Sequence, residues 1–156
     1  MTLVFTNARL VCPESGERGG ELYVAGGRIV GEAPKAAQII DCGGRILAPA
    51  ITDLGVFAMD KAACRAGGIA RIALMPDQSP VLDDPGIVHR AADMGKPELW
   101  VHPVAAATRG LDGANLAEFA INADAGARAV ATGRRWIADS GVMRRVLAYA
   151  RTCGLT

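Results

Sequence analysis

From residue 49 to residue 156 the chain repeats one pattern, in which a short apolar run is followed by a loop and then by a helical segment. The apolar runs, such as residues 69–75 (IARIALM), lack the alternation of polar and apolar side chains that a half-exposed strand shows. Uninterrupted apolar strands are typical of a parallel sheet that helices cover. The pattern therefore predicts an α/β fold.

The number of strand–helix units limits the architecture. We count about four of them, and parallel strands joined by right-handed helical crossovers form either an open doubly wound sheet or a barrel. A closed barrel has eight units and needs about 250 residues. We therefore predict an incomplete (β/α) barrel of the TIM type over residues 49–156. Its open sheet edges are expected to be covered by self-association or by a second chain.

Two helices carry recognisable end signals. Asp83 and Asp84 directly precede Pro85, which predicts a capped helix rather than a pair of catalytic carboxylates. The last helix has Ser140 as a candidate N-cap and Gly154 as a candidate C-cap. Its predicted apolar stripe consists of Val142, Val146, Leu147 and Ala150.

Residues 1–48 show a different sequence pattern from the rest of the chain. Short strands are separated there by Gly-rich turns at intervals of about ten residues, which is typical of hairpins. The sequence thus predicts a small β module over residues 1–48, followed by the partial barrel over residues 49–156. The Gly pairs of the module lack the strand-to-helix context of a phosphate-binding loop, and we interpret them as turns.

Composition and charge exclude several classes of protein. A hydrophobic content of 51% excludes a disordered chain. The formal net charge is +1 and there is no run of like charges, so the sequence shows no basic segment of the kind that binds nucleic acid. No apolar run is long enough to cross a membrane, and the first residues do not resemble a signal peptide, so we expect a cytoplasmic protein. The four cysteines form no CxxC pair, which argues against a cysteine zinc site.

Several tracts carry a family resemblance. Residues 47–54 (LAPAITDL) are similar to an APG-x-x-D motif, and residues 66–69 (AGGI) with residues 75–85 (MPDQSPVLDDP) resemble AGGVT…MPNTSPVLDDP. These are motifs of dihydroorotases, which belong to the amidohydrolase superfamily. Further tracts lie in the family's order and spacing: Val101–Pro103, Thr108–Leu111, Ala125–Ala127 and Asp139–Arg145. The chain thus resembles the N-terminal part of a dihydroorotase, which implies a small β domain and a barrel whose active site lies at the carboxyl ends of the strands.

The resemblance also shows which zinc ligands to look for. Dihydroorotases use zinc to polarise a cyclic amide and to activate water, and a His-x-His pair at the end of the first barrel strand binds the metal. The family pattern D-x-H-x-H-x-R falls on residues 53–59, so Gly55 and Phe57 stand at the two histidine positions. Neither side chain can bind a metal. Met59 stands where the family has an arginine that holds the substrate carboxylate.

Other positions of the family site differ as well. Asp77 replaces the asparagine of MPNT and would repel a carboxylate substrate, and Thr132 falls at the aspartate ligand of an F-S-D-D-G motif. The loop of residues 60–65 is shorter than in active relatives. We therefore predict no catalytic residue, no metal ligand and no cofactor in this chain, although active relatives hold zinc.

The histidines and tryptophans allow weaker interpretations. We place His102 at the end of the third barrel strand and group it with Met59 and Asp77 as a vestigial substrate-site position, favouring a structural role over a residual polar site. His89 is predicted to lie on a helix surface. Trp136, next to two arginines, is predicted to be a contact residue.

Two functions follow from the resemblance. The first is a catalytically inactive dihydroorotase-like protein, a pseudoenzyme of pyrimidine biosynthesis. Non-catalytic relatives of this kind associate with aspartate carbamoyltransferase, which the resemblance implies as the partner, and no nucleic acid or membrane is expected. The alternative is a fragment or half of a metal-dependent hydrolase, a cyclic amidohydrolase or dihydroorotase, that residues or a chain not present here would complete.

Overall fold

A computed structural model describes residues 1–156 of the chain. It contains two compact units, Met1–Pro49 and Ala50–Thr156. None of its helices combines the length and the apolar character needed to cross a membrane.

The first unit is one five-stranded sheet. Its strands are β1 (Thr2–Cys12), β2 (Gly16–Ala25), β3 (Arg28–Val30), β4 (Gln38–Asp41) and β5 (Ile46–Leu47). The pairs β1–β2 and β2–β3 are the antiparallel hairpins that the turn signals predict. Gly26 and Gly27 close the second hairpin with φ angles of 58° and 77°, the left-handed backbone that such a turn requires.

The hairpin prediction was wrong for the last two strands of this unit. β4 and β5 both pair with β1 in parallel, whereas a hairpin would pair each new strand with its predecessor in the antiparallel sense. The reason is that residues 31–37 carry the chain from β3, at one edge of the sheet, across to the far side of β1. The turn signals in the sequence mark where strands end, but they do not identify the partner strand.

The second unit alternates strands and helices. Its elements are β6 (Ile51–Val56), α1 (Lys61–Ala66), β7 (Ile69–Leu74), α2 (Pro85–Asp93), β8 (Trp100–Ala106), a short 3-10 helix (Arg109–Leu111), α3 (Phe119–Asp124), β9 (Ala129–Ala131) and α4 (Ser140–Thr152). The four strands are parallel and lie in the order β6-β7-β8-β9. This consecutive order belongs to a barrel segment, since the strand order of a doubly wound sheet reverses at a switch point. The predicted fold, a small β module and an incomplete barrel, is confirmed.

One face of the parallel sheet forms the main core. Ile72 and Leu74 of β7 are 0% and 1% exposed, and they pack in one cluster with Val88 and Ala91 of α2. Burying a side chain of this size contributes about 1.5–3 kcal/mol. On β6, by contrast, Leu54 is 76% exposed. The sheet therefore has one packed face and one open face, which is concave in a barrel segment.

A second cluster joins α3 to α4. The rings of Phe119 and Tyr149 stack with centroids 4.7 Å apart, and Phe119 is fully buried. Val142, Val146 and Ala150 are buried as predicted, but Leu147 is 64% exposed, which corrects the predicted stripe. Leu147 follows Val146 directly and so points about 100° away from it around the helix.

The ends of the last helix depart slightly from the prediction. Its N-cap is Asp139 rather than Ser140, because one Asp139 oxygen accepts hydrogen bonds from the backbone N–H groups of Gly141 and Val142. Asp and Ser serve equally well in this role, so the sequence alone does not distinguish adjacent candidates. The C-cap is Cys153, and Gly154 follows it with a φ of 67°.

Shortening a side chain on the packed face should destabilise the chain much more than shortening one on the open face. We expect Leu74→Ala to lower the free energy of unfolding by about 2–5 kcal/mol, because it leaves a cavity between β7 and α2. Leu54→Ala should change it by less than about 0.5 kcal/mol. Urea denaturation of the two variants measures the difference. A large loss in Leu54→Ala would show that the open face is packed in solution.

Candidate functional site

Four positions singled out by the resemblance meet at one edge of the parallel sheet. Gly55 is the second-to-last residue of β6 and Phe57 follows that strand, while Asp77 and Thr132 come after the ends of β7 and β9. The carboxyl ends of parallel strands form the edge at which barrel proteins build their sites. The positions singled out by the resemblance therefore lie along the same edge of the sheet.

Arg134, which follows β9, contacts residues that follow β6 and β7 at this edge. Its backbone N–H donates to Oδ1 of Asp77 at 2.9 Å, and its Nε lies 3.4 Å from the same oxygen. Its guanidinium carbon lies 4.9 Å from the centre of the Phe57 ring, within the range of a cation–π contact. The residues Phe57, Asp77 and Arg134, which we call the carboxyl-end cluster, therefore bind one another across three strand ends.

Gln78 supports the same edge. Its side-chain amide donates to the backbone carbonyl of Phe57 at 3.0 Å and to that of Met75 at 2.9 Å. These two bonds tie the loop after β6 to the end of β7. Neither Gln78 nor Arg134 stands out in the motifs as a site residue, because their contacts reach residues 21 and 57 positions away and have no local sequence signal.

Asp77 is close-packed against Gly133. The Asp77 side chain is only 10% exposed, and its Oδ2 is buried without a hydrogen-bond partner. A Cβ atom added at Gly133 would lie 2.5 Å from that oxygen. Gly133 also has a φ of 63°, a conformation that other residues avoid. The Asp77 carboxylate thus fills the space that a side chain at Gly133 would need.

The other positions singled out by the resemblance take part in local packing or secondary structure. Met59 is partly buried and packs against the main core, so it serves as an apolar contact of that core. Gly55 donates its N–H to Oδ1 of Asp53 at 3.0 Å, and a Cβ at Gly55 would meet no atom within 4 Å. The segment predicted to be a short loop, residues 60–65, is mostly helix α1, whose N-cap is Asp60.

The acidic pair before α2 has two different roles. Asp84 accepts from the N–H of Gly86 at 2.8 Å and caps α2 as predicted. Asp83 instead accepts from the N–H of Gly110 at 2.6 Å, so it links the loop before α2 to the short 3-10 helix. His89 is exposed on α2 as predicted. Trp136 is 85% exposed, and its contact role stays a prediction.

The position of His102 corrects a prediction. It is the third residue of β8, which continues to Ala106, so it does not lie at the carboxyl end of the strand. Proline at 103 does not end the strand, because the pairing with β7 includes Pro103 and the pairing with β9 follows it. His102 therefore lies on the open face, farther from the carboxyl ends of the strands than the carboxyl-end cluster does.

The surroundings of His102 favour its neutral form. Its Nε2 lies 3.4 Å from a terminal nitrogen of Arg71. Burial lowers the pKa of the imidazole, and the positive charges of Arg71 and Arg128 lower it further. At neutral pH the ring is uncharged and has one donor and one acceptor nitrogen.

The residues at the carboxyl ends do not fit a zinc ion. Zinc in proteins takes nitrogen, sulfur or oxygen ligands in tetrahedral groups, and neither Gly55 nor Phe57 offers a donor atom. No three His, Cys, Asp or Glu side chains of the chain come together as a metal site would require. Asp77, the one carboxylate of the cluster, already binds Arg134.

Gly133 allows a test of the packing around Asp77. Gly133→Ala should destabilise the chain more than Gly154→Ala, which has a similar φ of 67° but open space around the added methyl. We expect about 1–2 kcal/mol for Gly154→Ala from backbone strain, and about 1–3 kcal/mol more for Gly133→Ala from the clash. Asp77→Ala should cost less in the Gly133→Ala background than alone. Equal losses at the two glycines, measured by denaturant unfolding, would contradict the geometry.

His102 should give the chain a specific pH dependence. Its folded pKa lies below the ordinary value of 6.5, so the unfolded chain takes up a proton before the folded chain does. The free energy of unfolding should therefore fall as the pH drops below about 6.5. His102→Gln should remove this part of the decrease, whereas His89→Gln should retain it. Thermal unfolding from about pH 7 to about pH 5 measures it, and an unchanged slope in His102→Gln would be the contrary result.

Comparison with known proteins supports the resemblance. No family model matches the chain. A "Dihydroorotase-like protein" of Pseudomonas putida is 31% identical over all of this chain and 42% of its own length, and one of Pseudomonas aeruginosa is 33% identical with the same coverage. A "Dihydroorotase" of Geotalea daltonii is 31% identical over 99% of the chain. The chain thus spans about two fifths of the length of these relatives.

The structural comparison agrees in fold. The L-hydantoinase (dihydropyrimidinase) of Arthrobacter aurescens matches 98% of this chain and 39% of its own with a TM-score of 0.75 and 19% sequence identity. The match to the Pseudomonas aeruginosa relative extends over 178 positions, more than the 156 residues present here, so that relative has segments that this chain lacks. The chain is thus similar along its whole length to dihydroorotases and dihydroorotase-like proteins, as its motifs predict.

Proposed function

We propose that this chain is a catalytically inactive dihydroorotase-like protein with a structural role, and that its partner is aspartate carbamoyltransferase of pyrimidine biosynthesis. The observation that carries the proposal of inactivity is the carboxyl-end cluster. Phe57, at a zinc-ligand position of the family, contacts the guanidinium of Arg134, which in turn binds Asp77. Side chains of the chain itself occupy the edge where the family binds metal.

The chemistry of cyclic amide hydrolysis supports the same proposal. The reaction needs a Lewis acid at the carbonyl and an activated water. The carboxyl-end cluster supplies an aromatic ring, a guanidinium and a carboxylate that is already hydrogen-bonded to Arg134. None of these groups can replace a pair of zinc-bound histidines. We infer that this edge performs no metal-dependent hydrolysis.

Substrate recognition points in the same direction. A carboxylate substrate is best held by a bidentate arginine, but Met59 stands at that family position and packs against the core. Asp77 adds a negative charge at the same edge. Arg134 could attract an anion, yet its Nε faces the Asp77 carboxylate. The site is therefore poorly matched to dihydroorotate or carbamoyl aspartate.

The proposed partner rests on the resemblance to non-catalytic dihydroorotase-like proteins, and two matched relatives carry the name dihydroorotase-like protein. The open face and the exposed Trp136 provide surface for such an association. Leu54 and Trp136 are 76% and 85% exposed, and large exposed apolar side chains are typical of interaction sites when they lie in a patch.

A second candidate function is a part of a metal-dependent amidohydrolase that residues or a chain outside this sequence complete. The length of the relatives favours it, because this chain spans about two fifths of each. The open face of the four-stranded sheet favours it too. In that case the metal ligands would come from the completing part, since the positions in this chain offer none.

The partner is tested by light scattering. We expect the chain mixed with aspartate carbamoyltransferase from the same cell to give a joint complex heavier than either protein alone. Trp136→Ala should weaken the complex if the exposed tryptophan takes part, and Met94→Ala, which removes a half-exposed apolar side chain at the end of α2, is the matched control. Two unchanged separate species would contradict the proposed partner.

Inactivity is tested separately by turnover. With zinc supplied in excess, the chain should hydrolyse no dihydroorotate above the buffer rate. The double variant Gly55→His/Phe57→His, which restores the first ligand pair and has space for a side chain at Gly55, should also remain inactive because Met59 and Thr132 are unchanged. Zinc-dependent turnover by the unmodified chain would contradict the proposed inactivity.

A further inference from the structure

The open face of the parallel sheet carries a cavity of about 680 Å³ within the second unit. Most of its wall is apolar, and Leu54, Ala73, Met75 and Val104 contribute from three neighbouring strands. Two basic side chains, His102 and Arg128, also line it. A cavity of this volume is in the range of small-molecule sites, which are mainly apolar with a few placed polar groups.

A third basic side chain, Arg71, contacts the lining residue His102 without lining the cavity itself. Arg71 lies beside His102, with 3.4 Å between a terminal guanidinium nitrogen and Nε2, and its guanidinium carbon lies 5.8 Å from the centre of the Trp100 ring. Arg128 donates its backbone N–H to the carbonyl of Pro103 at 3.0 Å, which holds it next to His102. Arg71 of β7 and Arg128, the residue before β9, thus both lie close enough to His102 of β8 for their charges to act on it.

These charges have no acidic partner in the chain. Every ion pair within 4 Å involves other residues, and neither Arg71 nor Arg128 takes part in one. From β6, the side chains that reach the cavity are Thr52 and Leu54, which are uncharged. The positive potential at this spot is therefore uncompensated, in contrast to Arg134, whose charge faces Asp77.

We propose that Arg71, His102 and Arg128 form a binding site for a small organic anion, an apolar body that carries one carboxylate or phosphate group. The guanidinium groups would hold the oxygen atoms through charge-assisted hydrogen bonds. The apolar body would cover the walls formed by Leu54, Met75 and Val104. This site is separate from the carboxyl-end cluster, and it involves no zinc.

The imidazole of His102 takes part in the site and also reports on it. When its Nε2 accepts from Arg71, its Nδ1 carries the proton and can donate to a bound oxygen. A bound anion also offsets the charges of Arg71 and Arg128 that now disfavour protonation. The pKa of His102 should therefore rise when the site is filled.

Proton NMR of the chain's two imidazoles tests the proposal directly. The probes are hexanoate and hexyl phosphate, with hexanamide as the neutral control of the same length. We expect one or both anions to bind with a single site and to raise the pKa of His102, and the tighter of the two identifies the preferred head group. Binding of neither anion, or equal binding of hexanamide, would overturn the proposal.

Exposed arginines provide matched variants. Arg128→Met and Arg71→Met should each weaken binding of the anion by about tenfold, the usual effect of losing one charge-assisted hydrogen bond. Arg144→Met, which removes an exposed arginine of α4, should leave binding unchanged. These arginines are exposed, so the variants should fold, and retained thermal unfolding confirms it. Equal weakening in all three variants would indicate general charge attraction and would overturn the site.

Discussion

The packing of α1 and α2 against one face of the parallel sheet is the interaction on which the second unit depends. Ile72, Leu74 and Val88 are almost fully buried in this layer, and Met59 joins it from the loop after β6. Because helical crossovers bring each strand back parallel to the last, all strand ends with the same sense lie at one edge. The position of the carboxyl-end cluster follows from this packing.

The same constraint leaves the other face of the sheet open. A barrel fills its interior with side chains from all its strands, and the four strands of this chain supply only part of that filling. The exposed Leu54, the cavity along β6 to β9 and the basic residues around His102 all lie on this face. The open face is thus the surface on which both a macromolecular partner and a small anion are proposed to act.

Sequence patterns predicted the order of elements well because apolar runs and turn residues report local structure. They predicted the four strand–helix units, the cap at Asp84 and the buried positions of α4 other than Leu147.

The sequence patterns failed where the structure depends on contacts between distant residues. The parallel pairing of β4 and β5 with β1, the role of Asp83 as a partner of Gly110, and the depth of His102 within β8 all depend on contacts that no local pattern encodes. The family motifs singled out Phe57 and Asp77, but only the structure shows that Arg134 contacts both of them.

We propose that the carboxyl-end cluster does not bind zinc, because its carboxylate, Asp77, is already hydrogen-bonded to Arg134. Isothermal titration of zinc into the purified, metal-stripped chain measures this most directly. We expect no saturable zinc binding, either by the unmodified chain or by the Asp77→Asn variant. Binding of one zinc ion per chain that Asp77→Asn abolishes would contradict it, because the carboxylate would then be a metal ligand rather than the partner of Arg134.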